Sequence, residues 1–139
     1  MVAIAKPLSI RANLPTGLGY TSGKYYGPAN CSSATYTTGI SFQNKDQWVP
    51  FYCRKTTTFD RIALYNTAAV TINFRLAIYN DDGGGHPGTL LVDAGQLTTA
   101  GAAGDNAATI SQSLTGGNLY WLVSNAQSDL GVQVIGPGA

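Results

Sequence analysis

The sequence predicts an all-β protein: an antiparallel β-sandwich of about eight strands, of jelly-roll or Greek-key type, with an extended N-terminal arm. Three observations carry this. Residues 70–79, V-T-I-N-F-R-L-A-I-Y, place Val70, Ile72, Phe74, Leu76 and Ile78 on one face and Thr71, Asn73, Arg75, Ala77 and Tyr79 on the other. Strand side chains alternate with a period of two, and a fully apolar strand face needs a second apolar layer to cover it. Turn signals then recur at the spacing of short sandwich strands, with no strand–helix–strand alternation. Finally, every acidic residue is Asp, and Gly, Thr, Asn, Ser and Tyr outweigh the good helix formers. That balance favours strands and turns.

Taken in order, residues 1–29 are punctuated by Pro7, Pro15, Gly17, Gly19, Gly23, Gly27 and Pro28. They read as an extended arm with at most one short strand. The domain division is an arm over residues 1–19 and a sandwich over residues 20–139. The arm either reaches a neighbouring copy or lies along its own domain. Residues 35–42 and 48–53 read as strands. Pro50 cannot donate to a ladder, so the second should be an edge strand or bulged. Residues 58–65 set Ile62 and Leu64 against Arg61, Ala63 and Tyr65, and residues 66–69 turn into the central strand.

Residues 80–88, N-D-D-G-G-G-H-P-G, are the densest turn signal. Residues 90–92 and 95–97 form a short strand broken near Asp93, and residues 98–107 a loop of small residues. Residues 109–114 alternate through Ile110, Gln112 and Leu114. Gly116, Gly117 and Asn118 turn into residues 119–124, with Leu119, Trp121 and Val123 on one side. Trp121, among Leu and Val, reads as core; Trp48, beside Asp46 and Gln47, reads as more open. A loop over residues 125–131 precedes a last strand over 132–135.

Eight Lys+Arg against seven acidic residues give a net charge of +1, and charged residues are only 11% of the chain. Such balance argues against a nucleic-acid binder, which would normally carry a basic stripe, and sparse charge favours association. No apolar run approaches membrane-spanning length, and residues 1–10 lack a basic region followed by an apolar one. The chain is therefore expected to be soluble and made in a cytoplasm. Cys31 and Cys53 are expected as free thiols, with a disulfide as the alternative. Asn30-Cys31-Ser32 fits a glycosylation sequon only by chance in that compartment.

Chemistry-bearing motifs are few. Residues 83–88, G-G-G-H-P-G, match G-x-G-x-x-G, but a dinucleotide site needs a helix next, and a strand follows here. Asp81 and Asp82 lack the oxygen spacing of a calcium loop and its closing Glu. His86 is the only histidine and sits in a glycine turn, with no nucleophile elbow in the chain. No enzyme, cofactor or metal is expected. The candidate interaction surface is Tyr20, Tyr25, Tyr26 and Trp48, whose rings offer rigid faces, with Arg61 and Arg75, which could pair with Asp across a subunit boundary.

Three runs then carry a family resemblance. They are T-F-D-R-I-A-L-Y (58–65), F-R-L-A-I-Y-N-D-D-G-G-G-H-P-G-T-L-L-V-D-A-G (74–95), and T-I-S-Q-S-L with G-N-L-Y-W-L-V-S (109–124). In this order they resemble a β-sandwich module of tailed-bacteriophage virion proteins. G-K-Y-Y-G-P (23–28) and W-V-P-F-Y (48–52) also fit, so the likeness spans residues 20–135. It implies a non-enzymatic structural role: decorating or cementing the capsid through the sandwich and the arm. The alternative it implies is a tail-fibre or adhesin-type module binding host-surface carbohydrate. The implied partners are further copies of the chain, with a trimer the expected assembly, and the major capsid protein or another virion protein. Host glycan is the partner in the alternative, and neither nucleic acid nor membrane is expected. The implied location is the particle surface, after synthesis in the host cytoplasm.

Overall fold

The computed structural model describes residues 9–12, 25–26 and 36–135. Ten strands lie among them: β1 Ser9–Ala12, β2 Tyr25–Tyr26, β3 Tyr36–Ser41, β4 Asp46–Tyr52, β5 Thr57–Asn66, β6 Asn73–Asp81, β7 Pro87–Thr98, β8 Gly104–Leu114, β9 Leu119–Ala126 and β10 Leu130–Ile135. They form two antiparallel sheets packed as a sandwich. Sheet I runs β2-β1-β5-β10-β3, with β8 on the other edge of β5; sheet II runs β4-β9-β6-β7. From β3 onward the chain crosses between sheets at every connection except the β6–β7 hairpin. Strands β3 to β10 are the eight of the sandwich proper.

The core lies between the sheets. Phe59, Ile62 and Leu64 from β5, with Ile110 and Leu114 from β8, meet Phe74, Leu76 and Ile78 from β6 and Tyr120 and Leu122 from β9. Phe51 of sheet II meets Phe59 of sheet I edge to face, with ring centroids 5.7 Å apart. Such a contact is worth about 0.5–1.5 kcal/mol beyond the area it buries. Cys53 is buried, with its Sγ 3.1 Å from the Lys55 carbonyl oxygen and 3.7 Å from that of Leu114.

The strand read from residues 70–79 is β6, but it begins at Asn73. Val70 and Ile72 still pack against the core. Their backbone is taken by Thr99 instead: the Ile72 amide donates to Thr99 Oγ1, Thr99 Oγ1–H donates to the Val70 carbonyl, and the Thr99 amide donates to the Ile72 carbonyl. Pro50 lies in β4, an edge strand, as its missing donor requires. The break expected near Asp93 is a bulge inside the continuous strand β7, which shifts register against β6 three times. Asp93 Oδ1 accepts the Gly95 amide there, and Gly95 takes φ 81°, where a side chain would be strained.

Within residues 1–19, Ser9–Ala12 form β1 on β5 of the same sheet, and Ile10 is fully buried. Strand β8 pairs along one whole edge of β5; β1 and β10 divide the other, β1 against residues 59–63 and β10 at Asn66. The rest of the expected arm lies outside the described residues, as do Tyr20 and Cys31.

Candidate functional site

The outer face of sheet II gathers four aromatic residues, Trp48, Tyr52, Tyr79 and Trp121. In β4, Phe51 turns inward, so Asp46, Trp48, Pro50 and Tyr52 turn out. In β9, Tyr120, Leu122, Ser124 and Ala126 are buried toward the core, which leaves Leu119, Trp121, Val123 and Asn125 outside. In β6, Phe74, Leu76 and Ile78 face in and Arg75, Ala77 and Tyr79 face out. The register aligns these into cross-strand rows: Asp46–Asn125–Arg75–Gln96, then Trp48–Val123–Ala77, then Pro50–Trp121–Tyr79–Leu90.

Trp48 leaves its own row. Its ring meets that of Tyr79, two strands away, edge to face at 4.9 Å between centroids. To do so it crosses β9, which explains why Val123 is only 7% exposed on an outer face. Leu90 and Tyr52, at 51% and 45% exposed, extend the apolar surface toward its two ends. Trp121 is fixed differently: its indole N–H donates to Asp81 Oδ1 at 2.9 Å. The expectation that Trp121 is core is overturned. L-Y-W-L-V-S is apolar on both faces, so its sequence gives no phase, and the pairing of Tyr120 and Leu122 with the core turns Trp121 outward.

One side of the aromatic row is bordered by polar pairs. Asn125 Nδ2 donates to Asp46 Oδ1 at 2.7 Å, and an Arg75 guanidinium N–H donates to Asp93 Oδ2 at 2.9 Å. The next row continues it: Thr98 Oγ1 donates to Asn73 Oδ1, and Asn73 Nδ2 to Gln127 Oε1. The Asp93 carboxyl is held below the usual carboxylate range, first by the Gly95 amide and then by Arg75.

At the other end, the β6–β7 turn is organised by its two aspartates. Asp81 Oδ2 accepts the amides of Gly83 and Gly85, and Asp82 Oδ1 those of Gly84 and His86. The Asp81 carboxyl is lowered chiefly by the Trp121 N–H. These carboxylates cap the loop, and one of them also positions a platform ring. His86 is exposed, 3.6 Å from Asp82 Oδ2. Among the described residues, no group of three or more His, Cys, Asp or Glu converges as a metal site would require.

Of the six expected surface residues, Tyr20 lies outside the described residues and the other five divide between the two sheets. Trp48 and Arg75 share the outer face of sheet II. Arg61 lies on β5 of sheet I, with its Nη1 donating to the Asp60 carbonyl at 2.9 Å. Asp60 is also gripped by Arg11 of β1, at 2.9 Å and 2.6 Å, and this pairing chiefly lowers its pKa. Tyr25 and Tyr26 form β2, hydrogen-bonded to β1 at the edge of sheet I. Both arginines therefore have acidic neighbours within their own chain. Sequence reasoning passed over Tyr79, Asp46, Asn125 and Asp93. Tyr79 was readable from its place on the polar face of residues 70–79; the others depend on register.

In comparisons with known proteins, no family model matches the chain, and no curated protein or solved structure matches it.

Proposed function

We propose that the chain is a non-enzymatic structural protein of a tailed-bacteriophage virion, decorating the capsid surface and working by adhesion. The observation that carries this is the two-sidedness of the sandwich. The N-terminal segment enters at sheet I through β1 and β2, beside Arg11, Asp60 and Arg61. The aromatic row lies on the opposite, outer face of sheet II. A subunit of this kind seats one side on a shell and leaves the other free. The strand orders support the jelly-roll reading: β3-β10-β5-β8 opposite β4-β9-β6-β7 is the order of two interleaved Greek keys. Folds of that type serve both capsids and lectins, so the strand order alone does not choose between those roles.

The contact in this reading is made by the sheet I side and not by a reaching arm, because β1 pairs with β5 of its own domain. The test is attachment to particles that lack the protein, followed by co-sedimentation and by labelling in electron micrographs. Deleting residues 1–8, which spares β1, and replacing Arg61 (Arg61→Glu) should each weaken attachment by about tenfold, the order of one lost contact of about 1.4 kcal/mol. Particles that bind neither the wild-type chain nor its label would overturn the proposal. So would attachment by both variants equal to that of the wild-type chain.

The second reading, a tail-fibre or adhesin-type module, is favoured by one observation. Trp48, Tyr79 and Trp121 form an ordered aromatic row with a hydrogen-bonding border. Labelling at the tail instead of the shell would select it.

A further inference from the structure

We infer that the outer face of sheet II is a binding site for a short, neutral saccharide. This rests on the reading that sheet I is the seated side and sheet II is left free. Three properties of the face select that ligand. The first is a set of aromatic rings already held in place. Trp48 is braced against Tyr79, and Trp121 has its one donor taken by Asp81, so its ring can offer only apolar contact. Pyranose rings present faces of C–H groups that stack on such surfaces. Rings that need no reordering lose little conformational freedom on binding.

The second property is the polar border. Asp46, Asn125, Arg75 and Asp93 are paired among themselves at 2.7 Å and 2.9 Å. A carboxylate has about four lone-pair sites and a guanidinium five donors, so each retains capacity beyond these bonds. Planar groups fixed beside a stacking surface suit vicinal hydroxyls, which donate and accept at once. An apolar protein surface would leave that capacity unmet at the cost of desolvation.

The third property is charge and span. On this face Asp46, Asp81 and Asp93 stand against Arg75. The surplus of carboxylate repels an acidic sugar and tolerates a neutral one. The row Pro50–Trp121–Tyr79–Leu90 crosses four strands, and at about 4.8 Å between strands this is about 14 Å, the length of about three pyranose rings.

The test titrates the full chain with neutral mono- and trisaccharides of the gluco, galacto, manno and N-acetylglucosamine series, and with a sialylated trisaccharide. Tryptophan fluorescence and calorimetry are the readouts. At least one neutral trisaccharide should bind about tenfold more tightly than its monosaccharide and than the sialylated form. Trp48→Ala should reduce the fluorescence response, leaving only that of Trp121, and weaken binding at least about tenfold, while Trp48→Phe restores part of the affinity. Circular dichroism and thermal melting establish that each variant is folded, and Tyr79→Ala provides an independent lesion. Silence across the neutral series at millimolar saccharide would overturn the inference. Unchanged binding by folded Trp48→Ala and Tyr79→Ala would do the same. Particle attachment is scored separately: Trp48→Ala should attach normally, so a failed saccharide titration and a failed seating reading are told apart.

Discussion

A Cβ built on Gly116 would lie 2.7 Å from the Thr56 amide nitrogen and 2.8 Å from Lys55 Cα. Those neighbours are backbone and cannot rotate away. Gly116→Ala should therefore cost about 1–3 kcal/mol, read as a lower urea midpoint at unchanged slope. At Asp60 the bidentate contact with Arg11 holds the carboxyl below its ordinary pKa. A carboxyl depressed by folding stabilises the protein fully above the unfolded-state pKa, and that stabilisation is lost as pH falls through the folded value. The stability difference between the wild-type chain and Asp60→Asn should thus be flat from pH 7 to about pH 5 and shrink below about pH 4. Denaturant midpoints across that range would check it; a difference that grows on acidification would contradict the assignment. The face a residue takes was legible in the sequence where polarity alternates, as at Arg75 and Tyr79. It was not legible at Trp121, because apolar neighbours on both sides hide which face is buried until a partner strand fixes the phase.

Strand β1 is only four residues long, yet Ile10 on it is wholly buried and Arg11 holds Asp60. Ile10→Ala should cost about 2–5 kcal/mol in denaturant unfolding, whereas removing residues 1–8 should leave the sandwich folded. A stability unaffected by Ile10→Ala would mean that β1 does not close the edge of β5 in solution. The sequence hid this strand for a physical reason: S-I-R-A is too short to show a period, and its partners are some fifty residues away, at Ala63, Ile62 and Arg61. Longer elements announced themselves. The alternation of β6, the proline in β4 and the glycine turn before β7 each reflect a local constraint that operates whatever the partner strand. The start of β6 did not, since a threonine side chain from residue 99 competes for the backbone of Val70 and Ile72.

Nearly every ladder joins distant parts of the chain, as in Asp46 opposite Asn125 and Thr57 opposite Leu114. Such topologies must close large loops before any pairing is rewarded, so folding should occupy about milliseconds to seconds. Stopped-flow tryptophan fluorescence would measure it, and microsecond folding would contradict the strand order. Slow assembly of a sparsely charged, strand-rich chain is a hazard, because half-formed sheets can recruit one another. The borders of sheet II answer it. Pro50 interrupts the donors along β4, and the three register shifts of β7 bend the opposite margin. Along these two margins, copies of this molecule are consequently denied the simplest route to polymerisation, the growth of one sheet into the next.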